Sequence, residues 1–303
     1  MGVIVITTSS FGEYDKAPIA ILENSGFTVR LNPHKRTLKE KELIEVCKDA
    51  VGIIAGVEPL TAAVIEQLKL LKVISRCGAG LENVDMAVAG KLGIKVYNTP
   101  DAPTNAVAEL AIALILNLLR RVNYVDDAVK HGTWEKVMGS LLSGKKVGIV
   151  GFGRIGKRVA ELLKPFGCGL SYYDPFVKEG IPGSLRVSLE ELIRSSDIIS
   201  IHAAAGETIF GEKEIRSMKK GAYIINTARG KVIDEAALYR ALKDGHIGGA
   251  GLDVFSKEPY KGELSELKNV ILTPHIGSYA REARVEMERQ ASENLVKGLG
   301  KSI

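Results

Sequence analysis

Short apolar runs alternate with helical patterns along the whole chain. Val3–Thr7, Phe27–Leu31, Gly52–Ala55, Val73–Arg76 and Ile94–Tyr97 read as strands, and the segments between them repeat apolar residues at helical spacing. Thr37 with Glu40 reads as a capping box, Thr61 as the cap of a run to Leu68, and Gly26 and Gly93 as helix ends. Such alternation predicts a parallel sheet covered on both faces. Breakers fill Asn98 to Pro103, and Thr104 to Arg121 follows as a long, very apolar helix, then a polar helical stretch to His131. A helix apolar nearly all round has to be buried, so this one is expected at a domain junction or against a second subunit. A second set of strands follows: Val147–Val150, Leu170–Tyr173, Ile198–His202, Ala222–Asn226, His246–Val254 and Val270–Leu272, with Ser188 and Asp234 as helix caps. The last helical pattern, Tyr279 to Val296, has no strand left to cover in that second sheet. The expected architecture is therefore α/β: two doubly wound parallel-sheet domains, the first discontinuous (1–98 with 278–303) and the second inserted into it (99–277).

The second set opens on the most informative stretch. Gly151, Phe152, Gly153, Arg154, Ile155 and Gly156 follow the Val147–Val150 strand, an amphipathic helix comes next, and the following strand closes on Asp174. The acid lies 174 − 151 = 23 positions beyond the first glycine. Strand, glycine turn, helix, strand and acid together make the dinucleotide fingerprint. Gly151 allows the tight turn, Gly153 lets the backbone approach a pyrophosphate, and Gly156 lets helix and strand pack closely. The amides of Arg154 and Ile155 face the phosphates at the helix N-terminus, and Asp174 can hold a ribose diol. Pro175 and Phe176 follow it, with no Arg there for a 2′-phosphate, so NAD is expected over NADP.

Composition narrows the class without naming a function. The 303 residues are 46% hydrophobic and 25% charged, as in ordinary globular enzymes. The net charge of +5, from 41 basic and 36 acidic residues, is scattered, which argues against a nucleic-acid partner. Cys47, Cys77 and Cys168 have neither metal-ligand spacing nor an even count, so no metal site and a reducing cytoplasm are expected. The N-terminus enters a strand at once without a secretory leader, and Ala106 to Leu119 is too short to span a bilayer.

Ligands of doubly wound sheets bind beyond the carboxyl ends of the strands. Three polar residues lie there in the second half: Arg229, Glu258 and His275. An Arg can clamp a carboxylate with two prongs, a His titrates near neutrality, and a Glu beside it fixes the tautomer and favours the charged ring. Each alone reads as a sheet-end salt bridge, a solvated turn residue or a packing histidine; it is their joint placement beside a nucleotide motif that points to chemistry. His202 also ends a strand and reads as structural, while Cys77 has no base partner to make it a nucleophile.

Over essentially its whole length the sequence resembles the D-2-hydroxyacid dehydrogenase family, nearest the D-3-phosphoglycerate dehydrogenase branch. The resemblance rests on Arg76 to Gly80 with Asn83 and Asp85, Asn98-Thr99-Pro100, Ala108-Glu109, Gly151 to Gly156, Asn226 to Gly230, Gly251 to Phe255 with Glu258-Pro259, and Pro274 to Gly277. It implies a Rossmann NAD-binding domain inserted into a flavodoxin-like substrate domain. It implies that Arg229 binds substrate carboxylate and keto oxygen, that His275 exchanges the proton, and that Glu258 supports His275. Arg154, Ile155, Asp174, Thr227, Ala228, Asp253 and Gly277 match cofactor contacts. Arg76, Gly78, Ala79 and Gly80 match substrate contacts, the amides of Ala79 and Gly80 lying in the loop that grips the carboxylate. The implied activity is NAD-dependent interconversion of a D-2-hydroxy acid and its 2-keto acid, of 3-phosphoglycerate, glycerate/hydroxypyruvate or glyoxylate type.

Departures bear on the substrate. Ala55 stands where phosphoglycerate dehydrogenases typically carry an Arg for the phosphate, and Glu58 nearby would repel one; Arg76, and Lys136 from a partner subunit, could still help to bind one. Ala204 stands where the family usually has Pro. Formate-dehydrogenase-like chemistry is the enzymatic alternative, disfavoured by Glu258, since that branch uses Gln beside the His. A non-catalytic NAD(H)-sensing, co-repressor-like binding protein is the alternative from another class. The apolar run from Thr104 to Trp134 predicts a homodimer.

Overall fold

The computed structural model of the chain describes residues 2–203 and 206–301. The chain divides into two compact units, Met1–Pro103 with Ser278–Ile303, and Thr104–Gly277. The expectation for Ala204 lies outside the described residues.

The first unit runs β1 (Val3–Ile6), α1 (Ala17–Asn24), β2 (Thr28–Leu31), α2 (Glu40–Cys47), β3 (Ala50–Ala55), α3 (Ala62–Ile65), β4 (Val73–Arg76), α4 (Met86–Lys91) and β5 (Lys95–Tyr97). Its strands pair in parallel in the order β2-β1-β3-β4-β5. A parallel sheet needs crossovers and cover on both faces, which the apolar strands β1 and β3 meet by being buried almost throughout. Ile53, Val64, Leu43 and Ile74 form the core on one face. On the other, Ile4, Ile54 and Val73 pack with Met287, Leu295 and Val296.

Those last three residues belong to the final helix, which joins this unit after the chain has built the second one. It spans Arg281–Gly298 and is α11 in chain order, lying on α1, β3, β4 and β5. Leu295 is fully buried, and its truncation to Ala would cost about 2–5 kcal/mol. The α2 start differs from the sequence expectation. Thr37 caps nothing; Lys39 is the N-cap, and Glu42 Oε2 accepts its amide at 2.8 Å. Leu38 is buried, 1% exposed, and the chain enters that helix two residues later than the Thr37–Glu40 spacing suggests.

The second unit contains α5 (Thr104–Arg120), α6 (Val122–Lys130), β6 (Lys146–Val150), α7 (Arg154–Leu163), β7 (Gly169–Tyr173), β8 (Ser184–Arg186), α8 (Leu189–Ser195), β9 (Ile198–Ile201), α9 (Glu212–Ser217), β10 (Ala222–Asn226), α10 (Glu235–Lys243), β11 (Ile247–Leu252) and β12 (Val270–Leu272). All strands are parallel, in the order β12-β11-β10-β9-β6-β7-β8. Strand order reverses between β6 and β9, the switch point at which a doubly wound sheet opens its ligand crevice.

Helix α5 buries one side of its apolar circumference inside this unit, while Leu110, Ile112 and Leu116 stay partly buried. Ala108, Ala111, Leu114, Ile115 and Leu118 pack on α7, β10 and β11, so no second subunit is required to bury them. The segment after it differs: α6 has no buried residue, and Trp134, Met138 and Leu141 beyond it are exposed. Among the described residues no helix is long and apolar enough to cross a membrane.

Candidate active site

The glycine turn joins β6 to α7. Gly151 has φ +89°, and its amide donates to Tyr173 O at 2.9 Å, tying the turn to the end of β7. A Cβ on Gly156 would lie 2.1 Å from Gly151 O, so only glycine lets the helix approach the strand. In front of Gly153, the N-cap of α7, a Cβ would meet nothing within 4 Å, so that glycine leaves open space instead of filling a tight one. Arg154 and Ile155 form the first turn of α7, whose amides and dipole suit a pyrophosphate.

Asp174 closes β7 and is 8% exposed. Its Oδ2 accepts Phe152 N at 2.7 Å, and its Oδ1 accepts Phe176 N and Val177 N at 2.8 and 2.9 Å. Burial pushes this carboxyl's pKa up, but the amides of Val177, Phe152 and Phe176 and the charge of Arg186 outweigh it, leaving it below the usual carboxylate value. A carboxylate offers about four acceptor sites, so one remains for a ribose hydroxyl. Glycine turn, open helix N-terminus and anionic strand end together fit a dinucleotide. Arg186, which approaches Asp174 from β8, was absent from the sequence reading.

Next along the same sheet edge, β10 ends at Asn226, and this buried side chain shapes the loop that follows. Its Nδ2 donates to Arg229 O at 2.9 Å and its Oδ1 accepts Ala228 N at 3.0 Å. Arg229 Nη1 donates to Ala228 O at 2.7 Å. Thr227 and Ala228 are thus held in place by Asn226, to which the sequence reading gave no role. Thr227 Oγ1 also lies 3.4 Å from His202 Nδ1, and Ser200 Oγ lies 2.9 Å from His202 Nε2. Desolvation of that ring pushes its pKa down to about 3, so His202 stays neutral and structural.

The segments after the adjoining strands β11 and β12 bring Glu258 and His275 together. His275 Nδ1 is 2.9 Å from Glu258 Oε2, while Glu258 Oε1 accepts Phe255 N at 3.0 Å. A carboxylate at Nδ1 assigns the proton there and leaves Nε2 to exchange a proton with a substrate. The pair is partly open, with side chains 52% and 37% exposed, as groups that must meet a substrate need to be. Asp253, matched by resemblance to a cofactor contact, also bonds the segment carrying the histidine. It accepts Thr273 Oγ1 at 2.6 Å, Ile276 N at 2.8 Å and Gly277 N at 2.8 Å.

Arg76 ends β4 in the first unit, and Gly78, Ala79 and Gly80 follow it. Thr99 and Gly78 bond reciprocally: Gly78 N donates to Thr99 Oγ1 at 2.8 Å, and Thr99 N donates to Gly78 O at 3.0 Å. Asn98 Nδ2 donates to Ala79 O at 2.7 Å, and Arg76 Nη1 to Cys77 O at 3.0 Å. The Asn98-Thr99 pair therefore moulds this loop, and the Gly78 amide is already engaged. Beside it, after β3, Glu58 is 1% exposed. Its Oε1 accepts Gly56 N at 2.8 Å and the Thr7 hydroxyl, and Asn83 Nδ2 donates to Glu58 O at 2.7 Å. Cys77 is buried and its thiol pushed up to about 12, which removes it as a nucleophile.

The family profile described as "D-isomer specific 2-hydroxyacid dehydrogenase, NAD binding domain" matches residues 112–277, the span carrying the glycine turn, Arg229, Glu258 and His275. The chain belongs to this family. It is 42% identical over 272 residues to a glyoxylate reductase of Thermococcus litoralis, covering 84% of this chain and 82% of that one. A D-3-phosphoglycerate dehydrogenase of Methanocaldococcus jannaschii is 40% identical across 86% of this chain, but the match takes in only 52% of that longer protein. Among solved structures, the TT0316 protein of Thermus thermophilus superposes with a TM-score of 0.92 at 35% identity, over 99% of this chain and 98% of that one. The second unit is accordingly the NAD-binding unit of a D-2-hydroxyacid dehydrogenase, an enzyme that interconverts 2-hydroxy and 2-keto acids.

Proposed function

We propose that this dehydrogenase reduces small, unphosphorylated 2-keto acids of the glyoxylate and hydroxypyruvate type. The observation that carries the acid–base assignment is the 2.9 Å contact between His275 Nδ1 and Glu258 Oε2. Bound NADH supplies the hydride. His275 gives the proton at Nε2 to the keto oxygen, and Glu258 at Nδ1 holds the orientation of the ring. Arg229 binds the substrate carboxylate and polarises the carbonyl, a task for which a planar guanidinium with two prongs is suited. The amides of Ala79 and Gly80 serve the substrate carboxylate. Formate chemistry has no hydroxyl proton to exchange, so the charged Glu258 beside His275 argues against it.

The unphosphorylated class is supported by Glu58 with Ala55 at the strand-end edge of the first unit. Two donors converge on Glu58 Oε1, and an acid in this place is a poor neighbour for a phosphate dianion. An NADH-oxidation screen over glyoxylate, hydroxypyruvate, pyruvate, longer 2-keto acids and phosphohydroxypyruvate tests the reading. Highest kcat/KM for phosphohydroxypyruvate would overturn the substrate class, and no turnover with any of them would overturn the activity.

The enzyme works as a homodimer in this reading, with the interface on the arm from Val122 to Leu141. Val122, Val129, Trp134, Met138 and Leu141 are all exposed there, Trp134 by 87% and Met138 by 92%. Trp134 is the single tryptophan of the chain, so its emission should shift to longer wavelength on dilution as the dimer parts. A monomer by light scattering at working concentrations would remove the interface. The three cysteines are free thiols, in keeping with a reducing cytoplasm.

A further inference from the structure

Two consecutive amides in the segment after β11 are taken by two different acids. Phe255 N donates to Glu258 Oε1 at 3.0 Å. Ser256 N donates to Glu235 Oε1 at 2.6 Å, and the Ser256 hydroxyl bonds the same oxygen. Glu258 Oε2 meanwhile faces His275 Nδ1. Glu235 opens α10, whose N-cap Asp234 accepts Ala237 N at 3.0 Å. Ser256 is therefore tied to the capped end of a helix.

The same peptide supports the Arg229 loop. A Cβ on Gly230 would lie 1.8 Å from Phe255 C and 2.3 Å from Ser256 N, so only glycine lets the chain beside Arg229 rest on the Phe255–Ser256 link. One 3₁₀ turn, Gly230–Val232, then leads to Asp234 and Glu235. The acid that grips Ser256 thus lies on the same short segment as Arg229, six positions beyond it. Asn226 holds the start of that segment through Arg229 O and Ala228 N, and Glu235 holds its end. The backbone that carries Arg229 is in this way bonded to the loop that carries Glu258, and through Glu258 to the His275 ring.

We propose that Glu235 is a positioning residue of this dehydrogenase. By holding Ser256 it fixes the Arg229 segment against the Glu258 loop. That sets the spacing between the guanidinium that holds the substrate and the imidazole that exchanges its proton. The proposal rests on the roles of Arg229, Glu258 and His275 given above. Displacing a reacting group by as little as about 1 Å can cost roughly 100-fold in rate. Such a displacement is felt in turnover and not in ground-state binding, so its signature is a fall in kcat without a matching rise in KM.

The test compares the parent with Glu235→Ala, Glu235→Gln and Ser256→Ala in the reduction of glyoxylate and hydroxypyruvate by NADH. NADH titration and hydrogen exchange of the Ser256 amide are measured on the same proteins. Glu235→Ala should lose about 10- to 100-fold in kcat, with KM for the keto acid and the NADH dissociation constant within about threefold of the parent. Glu235→Gln keeps the accepting oxygen and should recover most of that loss. Ser256→Ala drops one of the two bonds and should lose about 2- to 10-fold. The Ser256 amide should exchange about tenfold faster in Glu235→Ala. An unchanged kcat in Glu235→Ala, a loss as deep in Glu235→Gln, or a rise in KM that accounts for the whole loss would each overturn the proposal. If Glu235→Ala loses NADH binding and with it the fold, Ser256→Ala decides, and an unchanged kcat there overturns it. A parent that turns over neither keto acid would sink the roles of Arg229 and His275 separately; amide exchange then decides the brace, and an unchanged Ser256 rate overturns it.

Discussion

Asp253 holds His275 in a left-handed backbone conformation. His275 has φ +56°, which costs a non-glycine residue of order 1–3 kcal/mol unless the surroundings impose it. Here the Asp253 carbonyl accepts the His275 amide at 2.9 Å, and the carboxylate takes the next two amides, Ile276 and Gly277, together with the Thr273 hydroxyl. Asp253 is thus a positioning residue. Replacing it with Ala should release the turn and lower kcat by about 10- to 100-fold, since small misplacements of a reacting group are costly. NADH affinity, measured by fluorescence titration, should change by no more than about threefold. A large loss of NADH affinity with kcat preserved would return Asp253 to the cofactor.

The acid–base pair predicts a split between turnover and binding. His275→Ala should lose about 10²- to 10⁴-fold in kcat for keto-acid reduction while NADH titration stays near that of the parent. Glu258→Gln keeps a hydrogen-bond partner for Nδ1 but removes the carboxylate beside it, so its kcat for reduction should fall less than that of His275→Ala while NADH titration stays near that of the parent. An unchanged kcat in Glu258→Gln would separate Glu258 from His275 in function.

The parts of this enzyme that were legible in its sequence are those where burial writes a pattern. Parallel strands covered on both faces read as continuous apolar runs, so β6, β9 and β10 stand out, and the glycine turn is written in residue types that its geometry demands. β8 writes no such pattern. It is three residues at a sheet edge with Leu185 64% exposed, and so Arg186 was invisible as a neighbour of Asp174. Side-chain direction is equally silent in a sequence: Asp253 and Asn226 sit in recognisable motifs, yet that they brace the loops of His275 and Arg229 follows only from their hydrogen bonds. α5 was legible only in part. Hydrophobicity all round shows that a helix is buried but not by what, and here α7 and the sheet of its own unit do it.

Asp174 should set the affinity for NAD. With three amides already bonded, its carboxylate keeps about one acceptor site for a ribose hydroxyl. Asp174→Ala is expected to weaken NAD⁺ by about tenfold, to weaken NADP⁺ less, and to lower the melting temperature, because the Phe152, Phe176 and Val177 amides lose their acceptor together. An unchanged ratio of the two dissociation constants would remove Asp174 from cofactor choice.

His202 gives a prediction about acid stability that is independent of catalysis. Its folded pKa of about 3 lies below the ordinary 6.5, so between those values the unfolded chain binds the proton and the folded chain does not. Stability from this group is fully present above about pH 6.5 and is lost as the pH falls towards 3, at up to about 1.4 kcal/mol per pH unit in that window. Gln at this position can still bond Ser200 or Thr227 but carries no titrating group. His202→Gln should therefore be less stable than the parent at pH 7.5, where the packed ring is missed, and should lose stability less steeply on acidification. Melting temperatures recorded every half unit from pH 7.5 to 4 should converge for the two proteins. Carboxylates contribute to acid unfolding in both equally, so they cancel in the comparison, and parallel curves would show that the His202 ring is protonated as readily in the folded enzyme as in the unfolded chain.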